Sequence, residues 1–177
     1  MAEDGKGCVV IKKYGPWGGP CGDAWNDGSH KHVKAITVTT DPCFGLRSIQ
    51  VDYIDVCGKV VHGPKHGGNG QCKETFKLDF PCEVLKEING YTDGRCVKAL
   101  KFKTNKKESP LYGKPDGTSS RSPAVESMIG FFGRSTDLCS DNANGFVDAI
   151  GIYALPFNIN DEANEEPKVL QGQCQEG

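Results

Sequence analysis

Four histidines, nine cysteines and a scatter of carboxylates are the side chains of this sequence with chemistry to offer. His30 and His32 alternate as one face of a strand would, and His62 and His66 lie beside a glycine-rich stretch, a spacing that could suit a metal. No third ligand accompanies either pair at a fixed spacing, so all four read as surface histidines and no metal or other cofactor is expected. The cysteines, Cys8, Cys21, Cys43, Cys57, Cys72, Cys82, Cys96, Cys139 and Cys174, include no CxxC pair, and their odd number favours reduced thiols over disulfides. None has a partner pattern that would make it a nucleophile. Glycoside hydrolysis would need two carboxylates across a cleft, with Asp148 and Asp141 as candidates. No carboxylate sits in an apolar sequence setting that would raise its pKa, so an enzyme is not expected.

The bulk numbers narrow the classes further. A chain of 177 residues with 37% hydrophobic and 25% charged residues suits one globular domain. A net charge of -2 gives no footing for nucleic acid, which needs a basic face. The basic cluster Lys101, Lys103, Lys106 and Lys107 begins by alternating with Leu100 and Phe102, as the wet face of a strand does. The start, MAEDGKGCVV, is acidic where a signal peptide is basic, and no apolar segment is long enough for a membrane. A cytoplasmic or nucleocytoplasmic protein without membrane insertion is expected.

These residues must be carried by strands. With 23 Gly and 10 Pro the chain turns often, and apolar residues recur with period two in seven runs: 9–14, 33–39, 48–54, 75–80, 97–104, 126–133 and 146–155. Asn26-Asp27-Gly28, Cys57-Gly58, Asp93-Gly94 and Asp116-Gly117 mark turns between them. EVLKEI at 83–88 could form a helical turn, and sustained helical periodicity is absent. GPWGGPCG at 15–22 returns as KHGGNGQC at 65–72 and, more faintly, as SPLYGKPDG at 109–117, an interval that suggests one unit used three times. Three units of about four strands give three small antiparallel sheets that cannot bury their apolar faces alone. The expected fold is all-β, a prism of three sheets around a common axis, with loops gathered at its ends. The segment 158–177 is acidic and reads as a mobile tail, residues 1–7 as a flexible start, and STDLCSDNAN at 135–144 as a polar loop.

The motifs GPWGGPCGDAWNDG at 15–28, SIQVDY at 48–53, HGGNG at 66–70 and FKLDFPCEVLKEINGY at 76–91 carry a family likeness. It continues through KFKTNK at 101–106, YGKPDGTS at 112–119, IGFFGRS at 129–135 and VDAIGIY at 147–153. Over residues 8–157 the chain resembles the jacalin-related lectins. The resemblance implies a β-prism I of three four-stranded Greek-key sheets around a pseudo-threefold axis. It also implies reversible, metal-free sugar binding with no catalysis.

On that resemblance the sugar-binding carboxylate is Asp148, with Gly145 and Phe146 supplying a nest of backbone amides, Gly22 the first-loop contact, and Tyr91 and Thr92 a third loop. Asn144 stands where the family has the glycine of its Gly-x-x-x-Asp loop, a substitution that positive φ tolerates. An insertion before Gly145 places Asp137, Asp141 and Asn142 at the rim. The loop DPCFGLRS at 41–48 has Arg47 where a second sugar site would want an acid, so one site per chain is expected. The chain runs unbroken through the first loop, which in this family goes with mannose- or glucose-type glycans rather than galactose. A homodimer or higher homo-oligomer would supply avidity, and defence or stress is the expected context. The alternative is a protein-interaction or stress-response module on the same fold, with sugar binding altered or lost through the inserted loop 136–144.

Overall fold

A computed structural model describes residues 10–137 and 145–157. Twelve strands form in chain order: β1 (Lys12–Gly18), β2 (Asp23–Ser29), β3 (His32–Asp41), β4 (Gly45–Ile54), β5 (Val60–Gly67) and β6 (Cys72–Lys77), then β7 (Leu85–Thr92), β8 (Val97–Thr104), β9 (Tyr112–Gly113), β10 (Thr118–Arg121), β11 (Ser127–Thr136) and β12 (Phe146–Leu155). They make three four-stranded antiparallel sheets, in the orders β5-β4-β3-β6, β10-β7-β8-β9 and β1-β12-β11-β2. Within the first two, three hairpin-linked strands are followed by a fourth that returns beside the first, which is the Greek key. The third sheet repeats the pattern with the chain ends exchanged: β11 and β12 come from the end of the chain and their flanking strands from its beginning.

The inner strands show why the sheets close into a prism. Along β4, Ile49, Val51 and Tyr53 point inward, and Ile36 and Val38 do the same on β3. Phe102 of β8 and Phe131 of β11 meet them, and one core joins all three sheets. Each such fully buried side chain contributes about 1.5–3 kcal/mol of transfer free energy. Leu100 and Phe102 are buried while Lys101 and Lys103 face outward toward Glu108, the alternation expected for that basic cluster.

The three glycine-rich stretches fall at equivalent places, the β1–β2, β5–β6 and β9–β10 connections. They open at one end of the prism together with the β3–β4, β7–β8 and β11–β12 hairpins. The twelve strands match the expected three units of about four each, although only seven apolar runs marked them. Those without an expected run include the edge strands β2, β5, β9 and β10, which bury too little to carry an apolar rhythm. EVLKEI makes no helical turn, since Leu85 already begins β7. Asn26-Asp27-Gly28 is not a hairpin turn but a bulge within β2, opposite the step from Gly130 to Phe132.

Candidate functional site

Asp148 is the third residue of β12, beside the hairpin end, and it is 1% exposed. Its side chain is thus buried at the strand end rather than exposed. Thr136, at the end of β11, donates its hydroxyl to Asp148 Oδ2 at 2.8 Å. The Asp148 carbonyl accepts from the Gly19 amide at 2.8 Å, which pins the first loop to β12. Burial holds the Asp148 carboxyl above the ordinary carboxylate value, and Asp137 pushes the same way. The Thr136 hydroxyl and the Arg134 guanidinium oppose the shift without cancelling it. The expectation that no carboxylate has a raised pKa is thus corrected: sequence neighbours did not show the burial that folding imposes.

Gly22 lies directly against this carboxylate. Its φ is +80°, and a Cβ there would run into Asp148 Oδ2 and stand 2.7 Å from the Ser135 carbonyl. Only glycine lets the loop adopt this conformation and approach so closely. Arg134 fixes the loop from the side, donating from Nη2 to the Gly22 carbonyl at 2.6 Å and from Nε to the Cys21 carbonyl at 3.1 Å.

On the other flank, Gly145 packs on Gly68 of the β5–β6 connection, so closely that a Cβ on Gly145 would come within 2.8 Å of the Gly68 Cα. Asp137 spans the same gap, accepting from the Gly67 amide at 2.6 Å and the Ser135 hydroxyl at 2.8 Å. The next residue, Phe146, is half-buried and pairs with Thr136 across the hairpin. Its ring tilts against Phe44 of the β3–β4 turn at 5.5 Å between centroids. Lys98 and Arg47 in turn place their charges over Phe44, at 3.7 and 3.8 Å.

Sequence reasoning also named Tyr91, Thr92 and Asn144. Tyr91 and Thr92 close β7, half-buried, paired with Ser119 and Thr118 of β10. The ties between that hairpin and the site run instead through its turn: Gly19 lies against the Arg95 carbonyl, and Asp148 is among the charges that raise the Cys96 thiol. Asn144, Asp141 and Asn142 lie outside the described residues. Arg134, Thr136 and Gly68 were not singled out. Pairing β11 with β12 would have found Thr136, which sits diagonally across from Asp148.

The histidines need correction too. His66 is buried, its Nε2 donating to Asp27 Oδ1 at 2.8 Å while its ring stacks on Trp25 at 3.7 Å. Tyr53 donates to the other oxygen of Asp27 at 2.7 Å, so a polar cluster bridges two sheets. Among the described residues no group of three metal-ligating side chains converges.

The profile of the Jacalin-like lectin domain matches residues 14–153. The chain belongs to the jacalin-like lectins. This jacalin-like domain is 36% identical over 165 residues to Jacalin-related lectin 3 of Arabidopsis thaliana, covering 88% of the chain but only 25% of that relative. It therefore spans a quarter of that relative's length. A Galactose-specific lectin of Morus indica is 36% identical, covering 74% of the chain and 87% of the relative. A solved mannose-specific jacalin-related lectin from Morus nigra, in complex with mannose, superposes with a TM-score of 0.70 at 32% identity, covering 88% of the chain and 99% of its own. The domain is thus a β-prism of the carbohydrate-binding kind, in a family of binding proteins rather than enzymes.

Proposed function

We propose that this lectin binds mannose- or glucose-type glycans reversibly, without metal, at one loop-end site per chain built around Asp148. The observation that carries the reading is the fit of Gly22 against the Asp148 carboxylate, which brings the first loop and the last hairpin to one point. The carboxylate accepts from two adjacent sugar hydroxyls, and the amides of Gly145 and Phe146 donate toward the same oxygens. Asn144, Tyr91 and Thr92 complete the set carried over from the family. Because Asp148 is largely desolvated, each charge-assisted bond to it is worth more than it would be in water.

Mannose is favoured by the unbroken first loop and by the mannose-specific relative of Morus nigra; the galactose-specific relative of Morus indica makes galactose the sugar to compare. A single such site binds weakly, with a Kd near about 1 mM or ~4 kcal/mol, so a homo-oligomer would raise the effective affinity. Reduced thiols and a cytoplasmic location belong to the same reading. A glycan array on the wild-type chain and on Asp148→Ala tests it, with EDTA in a parallel series. Mannose-type glycans are expected to bind with or without chelator and to be lost in the variant; unchanged binding by Asp148→Ala would falsify the site.

One observation favours a second reading, an interaction module that has lost sugar binding: Asp148 is buried and Asp137 closes toward Gly67 beside it. Silence of the wild-type chain on the array, together with a monomeric state in solution, would select that reading.

A further inference from the structure

The sheet of β3 to β6 has an outer face unlike the other two. Its register lines up Lys65, Gln50, Thr37 and Thr75 in one row, and Gly67, Ser48, Thr39 and Lys73 in the next. Ile36, Val38, Ile49 and Val51 of the same strands turn into the core, so these two rows face outward. Over them lies a hollow of about 330 Å³, bordered by Asn69 and Gly70 of the β5–β6 connection. That volume suits a small ligand.

The hydrogen-bonding inventory decides which kind. Thr39 and Ser48 share one hydrogen bond at 2.5 Å, and Thr37 and Thr75 share another at 3.0 Å. Each pair holds two hydroxyl protons and uses one between its members, which leaves one donor per pair for a ligand. Gln50 gives one amide proton to the Gly63 carbonyl at 2.9 Å and keeps a second. Lys65, which also reaches Asn69, stands on one flank and Lys73 on the other. No carboxylate lines the hollow, and among the described residues neither lysine has a carboxylate partner. Asp52, two residues along β4 from Gln50, is engaged by His62 at 3.0 Å.

On the other outer faces the cationic side chains are engaged by partners of their own, Arg134 among them through the Gly22 carbonyl. On the sheet of β7 to β10, Arg121 and Lys101 are matched by Glu87 and Glu108 at 3.7 and 3.3 Å. On the third sheet, Phe132 and Tyr153 occupy the face, with Lys13 lying over the Phe132 ring at 4.3 Å. A neutral sugar needs acceptors and donors together, whereas two ammonium groups with spare hydroxyl donors select negative charge.

We infer that the outer face of the β3–β6 sheet is a second binding site, for a sugar bearing a sulfate or phosphate ester. The oxyanion lies between Lys65 and Lys73, and the ring lies along the Thr37 and Thr39 hydroxyls, with buried Ser48 holding Thr39 from below. This site is independent of the loop-end site and does not rest on it.

The test is amide NMR of the full chain titrated with N-acetylglucosamine 6-sulfate, with its unsulfated parent and with inorganic sulfate. The sulfated sugar is expected to shift the amides of residues 65–73, with the parent weaker by about tenfold or more. Its affinity should fall as NaCl rises, because the charges are exposed to solvent. The double variant Lys65→Gln, Lys73→Gln, both changes at exposed positions, should keep the wild-type melting temperature and weaken binding by about tenfold or more. Asp148→Ala should leave it unchanged. The inference is overturned if the sulfated sugar leaves these amides unmoved, if its parent binds equally, if the double variant binds undiminished, or if Asp148→Ala abolishes the response. Inorganic sulfate binding as tightly as the sulfated sugar would overturn the role of the ring and reduce the site to a simple oxyanion site.

Discussion

The Cα hydrogen of Gly22 occupies the only space that the Asp148 carboxylate leaves it: any side chain there would begin inside van der Waals contact of Oδ2. Gly22→Ala therefore adds a clash to a φ of +80° that alanine resists. The variant is expected to lose about 1–2 kcal/mol of stability and to displace Asp148. Titration with methyl mannoside alongside a urea melt measures both, and a variant with full stability and full affinity would contradict the geometry.

Acidification should act through Asp148. Its folded pKa is raised, chiefly by burial, so the proton that blocks acceptance from sugar hydroxyls binds at a higher pH than on an ordinary aspartate. Affinity should decline on acidification before the ordinary aspartate range is reached. For folding the same shift has the opposite sense. The contribution to stability is complete below the unfolded pKa and is lost as pH rises through the folded one. Asp148→Asn should thus flatten the pH dependence of stability while removing most of the sugar affinity; an unaltered binding profile in wild type down to the ordinary range would count against the raised pKa.

Glu83 predicts the reverse trend at the far end of the prism. Burial pushes its carboxyl up, but the Thr104 hydroxyl at 2.5 Å, the Asp79 amide at 2.9 Å and Lys107 at 3.5 Å outweigh that and leave it lowered. Its contribution is complete above the unfolded carboxylate pKa and fades as pH falls through the folded value. Glu83→Gln should cost about 1–3 kcal/mol at neutral pH, with the difference from wild type shrinking in acid. Chemical melts at several pH values read it directly.

Tyr53→Phe removes the donor to Asp27 Oδ2 while keeping the ring that stacks on His30. A buried carboxylate oxygen without its donor should cost about 1–3 kcal/mol, with sugar affinity unaffected. A loss no larger than a surface change would show that Asp27 finds another donor.

The threefold plan was readable because glycine loops recur where equivalent connections close each sheet, and because inner strands such as β4 and β12 must alternate to bury one face. Edge strands were not: DAWNDGS of β2 has no apolar rhythm, yet it pairs along β11. At the site, the positions of Gly22 and Asp148 could be carried over as motifs. The Thr136 bond, the Arg134 clamp and the Gly68–Gly145 contact depend on which strands become neighbours, which local sequence does not state. His66 was misread for the same reason, since its partners Asp27 and Trp25 lie on another sheet.

The sheet bearing Asp148 takes its outer strands from the beginning of the chain and its inner pair from near the end. A ribosome that has made β1 and β2 holds two strands whose partners do not yet exist, and Gly22 waits for a carboxylate still to be translated. The first and second sheets can form during synthesis, but the third closes only after β12 emerges. A nascent or prematurely terminated chain therefore lacks the assembled loop end, which is completed only when translation has passed β12.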